Sequence, residues 1–218
     1  MIGVLLFITS SIDTLNITVC GFTRLVIVGK KGNEIKVEKG TNYSMTQSEN
    51  MLFLTGMVKG NAVVSIPEET PVKIFFSTAK VNTLEIRECR KGVFVDISKN
   101  AAMIKIGKIK GEVNVRIGSN SSRIYIENHE GPVKISIPKG QSLFSIQNQK
   151  GDVEFEYLMC DTLILQDVWG DIKGSVHAAC VTVKGGRGNT HLEVSPVSAA
   201  VSIEREGNVT VKRVANRE

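Results

Sequence analysis

Six carboxylates fall within twenty residues: Asp152, Glu154, Glu156, Asp161, Asp167 and Asp171. Asp152 and Asp171 each follow a glycine directly, so a repeating backbone would bring them together. Paired carboxylates can coordinate calcium or perform acid–base chemistry on a glycan. Acidic residues beside glycine are also ordinary turn formers, and Asn33, Asn61, Asn189 and Asn208 hold the same place elsewhere in the chain. A second set carries the opposite charge. Lys31, Lys59, Lys91, Lys110, Lys150 and Arg187 each stand just before a glycine, with Glu130, Trp169 and Glu206 interrupting the series. Aligned on one edge, Lys91, Lys110, Lys150 and Arg187 would make a basic stripe for an anionic polymer or an acidic lipid. Trp169 alone interleaves it with an aromatic ring, so base stacking has no support and nucleic acid is not an expected partner.

The remaining chemistry-bearing residues form no recognisable site. His129, His177 and His191 are not spaced with Cys20, Cys89, Cys160 and Cys180 as zinc ligands would be, and no CxxC pair occurs. Buried thiols are expected, which favours a reducing compartment; Cys160 and Cys180 lie about one repeat apart and are a possible pair. The runs "GGRGN" at 185–189 and "GDIKG" at 170–174 lack the following helix that a dinucleotide loop needs. No catalytic residue, metal or cofactor is assigned.

Whatever these residues do, strands must position them. The chain has 218 residues, enough for a single sizeable core, with 42% apolar and 22% charged residues. Its 20 glycines, 5 prolines and many Val and Ile residues favour strands and turns over helices. The net charge of +5 is too mild for a nucleic-acid footprint. The apolar run from Ile2 to Ile8 is too short to span a membrane and lacks a basic leader. It reads as a first strand or as an assembly contact through Ile2, Val4, Leu5, Leu6 and Phe7.

From Gly92 onward, glycines recur at Gly111, Gly131, Gly151, Gly170, Gly188 and Gly207, in steps of 19, 20, 20, 19, 18 and 19 residues. After the glycine, apolar residues alternate: Val113, Val115, Ile117; Val133, Ile135, Ile137; Val153, Phe155, Tyr157. Each repeat then turns and carries a second alternating pair, from Ile104/Ile106 to Val201/Ile203. Period two marks strands with one buried face. A β-sandwich of hairpins would fit single repeats. A β-solenoid fits the series, because stacking of equivalent strands requires a register held from coil to coil. The expectation is one all-β domain over 1–218: a β-solenoid (β-helix) with coils of about 19–20 residues and two strands per coil. Residues 92–212 form the regular repeats. Residues 1–91 form irregular N-terminal coils, with Gly32 and Gly60 read as further corners, and a one-residue shift at Gly32 and Gly92 read as a bulge.

The units "KGEVNVRI", "KGDVEFEY", "WGDIKGSV" and "EGNVTVKR" resemble the putative adhesin family of β-strand repeat proteins of bacteria and archaea. The resemblance spans roughly residues 12–212 and implies a β-solenoid-like fold, frequent association with the cell envelope and no established enzymatic activity. The residues themselves suggest a non-catalytic structural or interaction protein whose partner is a second copy or another protein. The alternative is a glycan-binding surface protein; a polysaccharide-active enzyme ranks below both. A cytoplasmic location is expected from the thiols, with the envelope or surface as the alternative.

Overall fold

The structure is a computed structural model that describes residues 6–7, 14–76, 81–97, 101–118, 123–195 and 200–214. It contains seventeen strands and, among the described residues, no helix. The strands wind into a β-solenoid. One face stacks β2 (Leu15–Cys20), β6 (Val72–Phe76), β8 (Val93–Ile97), β10 (Val113–Ile117) and the first halves of β12 (Val133–Lys150), β13 (Val153–Trp169) and β14 (Ile172–Arg187), ending in β15 (Thr190–Val194) and β17 (Val209–Arg213). The other face stacks β3 (Phe22–Lys30), β7 (Val81–Arg87), β9 (Ala101–Gly107), β11 (Arg123–Glu130), the second halves of β12, β13 and β14, and β16 (Ala200–Glu206). All of these pairings are parallel.

The register is the one the alternation predicts. Val93, Val113, Val133, Val153, Ile172 and Thr190 stand in one ladder, and Ile104, Ile124, Phe144, Leu163, Val181 and Val201 in another. Except for the last member of the second ladder, these side chains are buried. Each coil therefore lays its apolar residues on those of its neighbours, and the core is a column of Val, Ile, Leu and two edge-to-face rings, Phe144 and Phe155, 6.1 Å apart. Burying one such aliphatic side chain contributes about 1.5–3 kcal/mol.

The coils close at a corner with its own residue code. A residue with left-handed backbone comes first: Glu88, Lys108, Asn128, Asn148, Asp167 or Gly185, with φ between 53° and 69°. An inward residue follows, then an outward one, then the corner glycine; after Cys89 two residues, Arg90 and Lys91, precede Gly92. The inward column is Cys89, Ile109, His129, Gln149 and Val168, all buried. At Gly131 φ is 135°, and the amide donates to the Lys150 carbonyl at 2.7 Å. A Cβ there would collide with the Gly111 carbonyl, lying 2.7 Å from its carbon. Close approach of backbone to backbone, as well as φ, demands glycine.

The N-terminal region departs from the expected order. β5 (Met51–Pro67) spans both faces, pairing in parallel with β2 through Met51–Thr55 and with β3 through Asn61–Pro67. The β2–β3 coil is therefore inserted between β5 and β6–β7, although β5 comes later in the chain. β4 (Glu34–Ser48) turns back through Glu49 and Asn50 and runs antiparallel along both halves of β5. It closes this end of the column with Ile35 buried and Val37, Tyr43 and Met45 packed against the core. β1 (Leu6–Phe7) pairs antiparallel with the start of β4. Gly60 thus lies within β5, where the strand passes from one face to the other, and not at a corner that closes a coil. At Gly92 the shift is not a bulge: the corner has the same length as its neighbours, and the glycine stands one place later, opposite Glu112, so that Val93 follows it directly and still pairs with Val113.

Candidate functional site

The acidic positions after the corner glycines do stack, and their chemistry is structural. The Asp171 amide donates to Asp152 Oδ1 at 2.8 Å, the Asn189 amide to Asp171 Oδ1 at 2.8 Å, and the Asn208 amide to Asn189 Oδ1 at 3.4 Å. Each side chain accepts from the next coil's backbone, which is why Asp and Asn interchange here. Among the described residues no group of three His, Cys, Asp or Glu side chains converges as a metal site would.

The candidate basic stripe alternates in sign. Lys110, Glu130, Lys150, Trp169, Arg187 and Glu206 form one ladder. Glu130 bridges Lys110 and Lys150 at 3.3 Å each, and hydrogen bonds from Lys150 and Lys110 hold its carboxyl below the usual carboxylate range. Lys91 lies 3.9 Å from Glu69. Glu130, which interrupted the series in sequence, is the partner of two of its cations. Exposed pairs of this kind contribute little to stability, but they do reduce the field available to an anionic polymer. Trp169, 57% exposed, projects between Lys150 and Arg187.

The histidines are separated in space and role. His129 is fully buried, its Nδ1 2.9 Å from the Ile109 carbonyl, so the ring donates there. Burial pushes its pKa below the ordinary value. Gln149 occupies the next position in the column and donates to the Gly131 carbonyl at 2.6 Å. His177 is partly exposed and stacks on Tyr157, with ring centroids 4.8 Å apart and planes 29° apart. This pair lies at a groove of about 350 Å3 lined also by Glu156, Ser175, Glu193 and Ser195. A bulge creates it: between the pairs Phe155–Gly174 and Leu158–Val176, β13 places Glu156 and Tyr157 against the single Ser175 of β14. No cysteine is in a disulfide. Cys160 stands opposite Ala178, and Cys180 opposite Thr162, so the suggested pair is out of register by two residues.

At the C-terminal end the column opens. Val201 and Ile203 of β16 occupy inward positions and are only half-buried, while Val209 and Val211 of β17, opposite Thr190 and Leu192, are 45% and 36% exposed. Arg205 folds under the last coils. Its Nη2 donates to the Gly170 carbonyl at 2.8 Å and the Val168 carbonyl at 3.2 Å, and burial lowers its pKa. Of the N-terminal contact candidates, Ile2, Val4 and Leu5 lie outside the described residues; Leu6 and Phe7 form β1, opposite Ile35 and Glu34. The inward places of Val209 and Val211 had a signal in sequence, the period-two alternation of the coils before them. The groove had almost none.

No helix among the described residues is long and apolar enough to cross a membrane. No protein-family model and no curated protein sequence matches the chain. Two solved structures resemble it. One is a putative adhesin from Bacteroides fragilis, 12% identical over 98% of this chain and 96% of that one, with a TM-score of 0.38. The other is a putative cell adhesion protein from Clostridium sporogenes, 13% identical over 97% of this chain and 99% of that one, with a TM-score of 0.26. The solenoid assignment rests on this chain's own strand register.

Proposed function

We propose that this protein is a non-catalytic interaction module that associates with a second copy of itself through the C-terminal end of the solenoid. The carrying observation is the open coil formed by β16 and β17. In the coils before it, the inward Val, Ile and Leu residues are roofed by the next coil; here Val201, Ile203, Val209 and Val211 are not. Among the described residues no strand lies beyond them, so the outer edges of both strands have backbone N–H and C=O groups available for pairing.

The charges favour a particular occupant. β16 carries Glu204 and Glu206, and β17 carries Lys212 and Arg213. The two strands belong to opposite faces of the same end. A copy turned over about the strand direction sets β17 of one molecule antiparallel to β16 of the other. Valines then meet valines, and the basic strand meets the acidic one. Such a contact is self-complementary and closes at two copies.

Sedimentation velocity over a concentration series tests this. The wild-type protein should dimerise, and a double variant Val209→Glu/Val211→Glu should remain monomeric with unchanged circular dichroism. A wild-type protein that stays monomeric at every concentration refutes the reading. Deletion of residues 1–10 separates the two ends: loss of the dimer on that deletion would move the contact to Ile2, Val4, Leu5, Leu6 and Phe7. The cytoplasmic location expected from the thiols gains nothing from the fold. An interaction module of this kind suits the envelope alternative, which cell fractionation decides.

A further inference from the structure

We propose that the groove over the β13 bulge binds an organic cation, an ammonium or guanidinium group. The bulge turns two consecutive residues, Glu156 and Tyr157, toward the outer face of the sheet, where strict alternation would expose one. His177 stacks on Tyr157 at 4.8 Å and orients its ring. Glu193 continues the same cross-strand row, opposite Ser175. The result is an aromatic wall with a carboxylate on either side, in a volume at the small end of ligand sites.

The unmatched charge identifies the ligand. On this face the other glutamates of the neighbouring coils have cations: Glu112 pairs with Lys134 at 3.1 Å and Glu154 with Lys173 at 3.4 Å. Glu156 and Glu193 form no salt bridge among the described residues, although the Lys134 ammonium attracts Glu156 from a distance and Lys212 is the cross-strand neighbour of Glu193. An anion would be repelled by both carboxylates. A neutral sugar would find acceptors but leave two charges uncompensated. A cation is attracted by both carboxylates and by the ring face together. The groove adjoins β17, with Val194 and Val214 also in its lining, while the proposed contact between copies uses the outer edges of β16 and β17; its ligand can be measured in the monomeric Val209→Glu/Val211→Glu variant as well as in the wild type.

Calorimetric titration provides the test, with N-acetyl-arginine amide and spermidine as cation probes and N-acetyl-citrulline amide and methyl β-glucoside as neutral ones. Saturable binding of at least one cation is expected, weakening with added salt. Glu156→Gln and Glu193→Gln should each weaken it roughly tenfold, and Lys212→Ala should strengthen it by removing the competing charge. Preference for the arginine amide would assign the site to a peptide side chain, and preference for spermidine to a free polyamine. Equal binding of the neutral probes, indifference to both Glu→Gln changes, or no saturable binding of either cation would overturn the proposal.

Discussion

Replacing Gly131 by alanine tests the stacking directly. The residue has φ of 135°, a region in which L residues cost about 1–3 kcal/mol. The added Cβ would also sit 2.7 Å from the Gly111 carbonyl carbon and closer still to its oxygen. Both are backbone atoms and neither can rotate away. Relief requires the two coils to part at the corner, which stretches the bonds from the Glu130 amide to the Ile109 carbonyl and from the Gly111 amide to the Glu130 carbonyl, now 2.9 and 2.8 Å. Each contributes about 1 kcal/mol. The sum is about 3–5 kcal/mol, a large effect for one methyl group. Gly140 is the control: it has no left-handed φ, and nothing lies within 4 Å of an added Cβ. Equilibrium unfolding in guanidinium chloride, followed by circular dichroism, should show a marked loss of midpoint for Gly131→Ala and a change within about 0.5 kcal/mol for Gly140→Ala. Equal behaviour of the two variants would mean that the corner glycines are not held by backbone contact, and the reasoning would fail.

Two further outcomes follow from buried groups. Burial depresses the folded-state pKa of His129 below its unfolded value of 6.5, so below that value the unfolded chain takes up a proton that the native ring refuses. Stability should therefore fall as pH drops from about 6.5 toward the folded pKa, by at most about 1.4 kcal/mol per pH unit; His129→Gln, which repeats the Gln149 of the next coil, should flatten that slope between about pH 7.5 and 5.5 in denaturant titrations. A slope unchanged by the substitution would assign the pH dependence to other groups. Burial also raises the Cys89 and Cys160 thiols to about 12, so a chromogenic disulfide reagent at about pH 8 should label the partly exposed Cys20 and Cys180 and reach the other two only after unfolding. Rapid labelling of Cys89 in the native protein would contradict its place in the column.

The solenoid was legible because two independent regularities agree. Val113, Val115 and Ile117 alternate, and the same triplet returns twenty residues later at Val133, Ile135 and Ile137, so pattern and period both call for stacked strands. The N-terminal rearrangement was hidden because strand alternation carries no information on direction. Antiparallel β4 and parallel β6 look alike in sequence, and Gly60 has a corner's neighbours without a corner's backbone. The basic stripe misled for a different reason. Glu130 looked like an interruption of a row of lysines, and only the ladder shows it between Lys110 and Lys150. The groove depends on one surplus residue in β13, whose trace in sequence is a glycine step of 19 where the following one is 18. Such a step cannot say where the extra residue is placed or which rings it brings together.

The insertion of the β2–β3 coil between β5 and β6–β7 also dictates an order of assembly. In the regular part each coil follows its neighbour in the chain, so growth can proceed by closing loops of about twenty residues. The N-terminal coils have no such local path. Residues 15–30 gain one neighbour only when 51–67 has folded back beneath them, and the other only when 72–87 has crossed to the far side. During synthesis residues 15–30 must therefore wait for their second neighbour until nearly ninety residues have emerged. The N-terminal coils can close only together, whereas the later coils can be laid down one at a time.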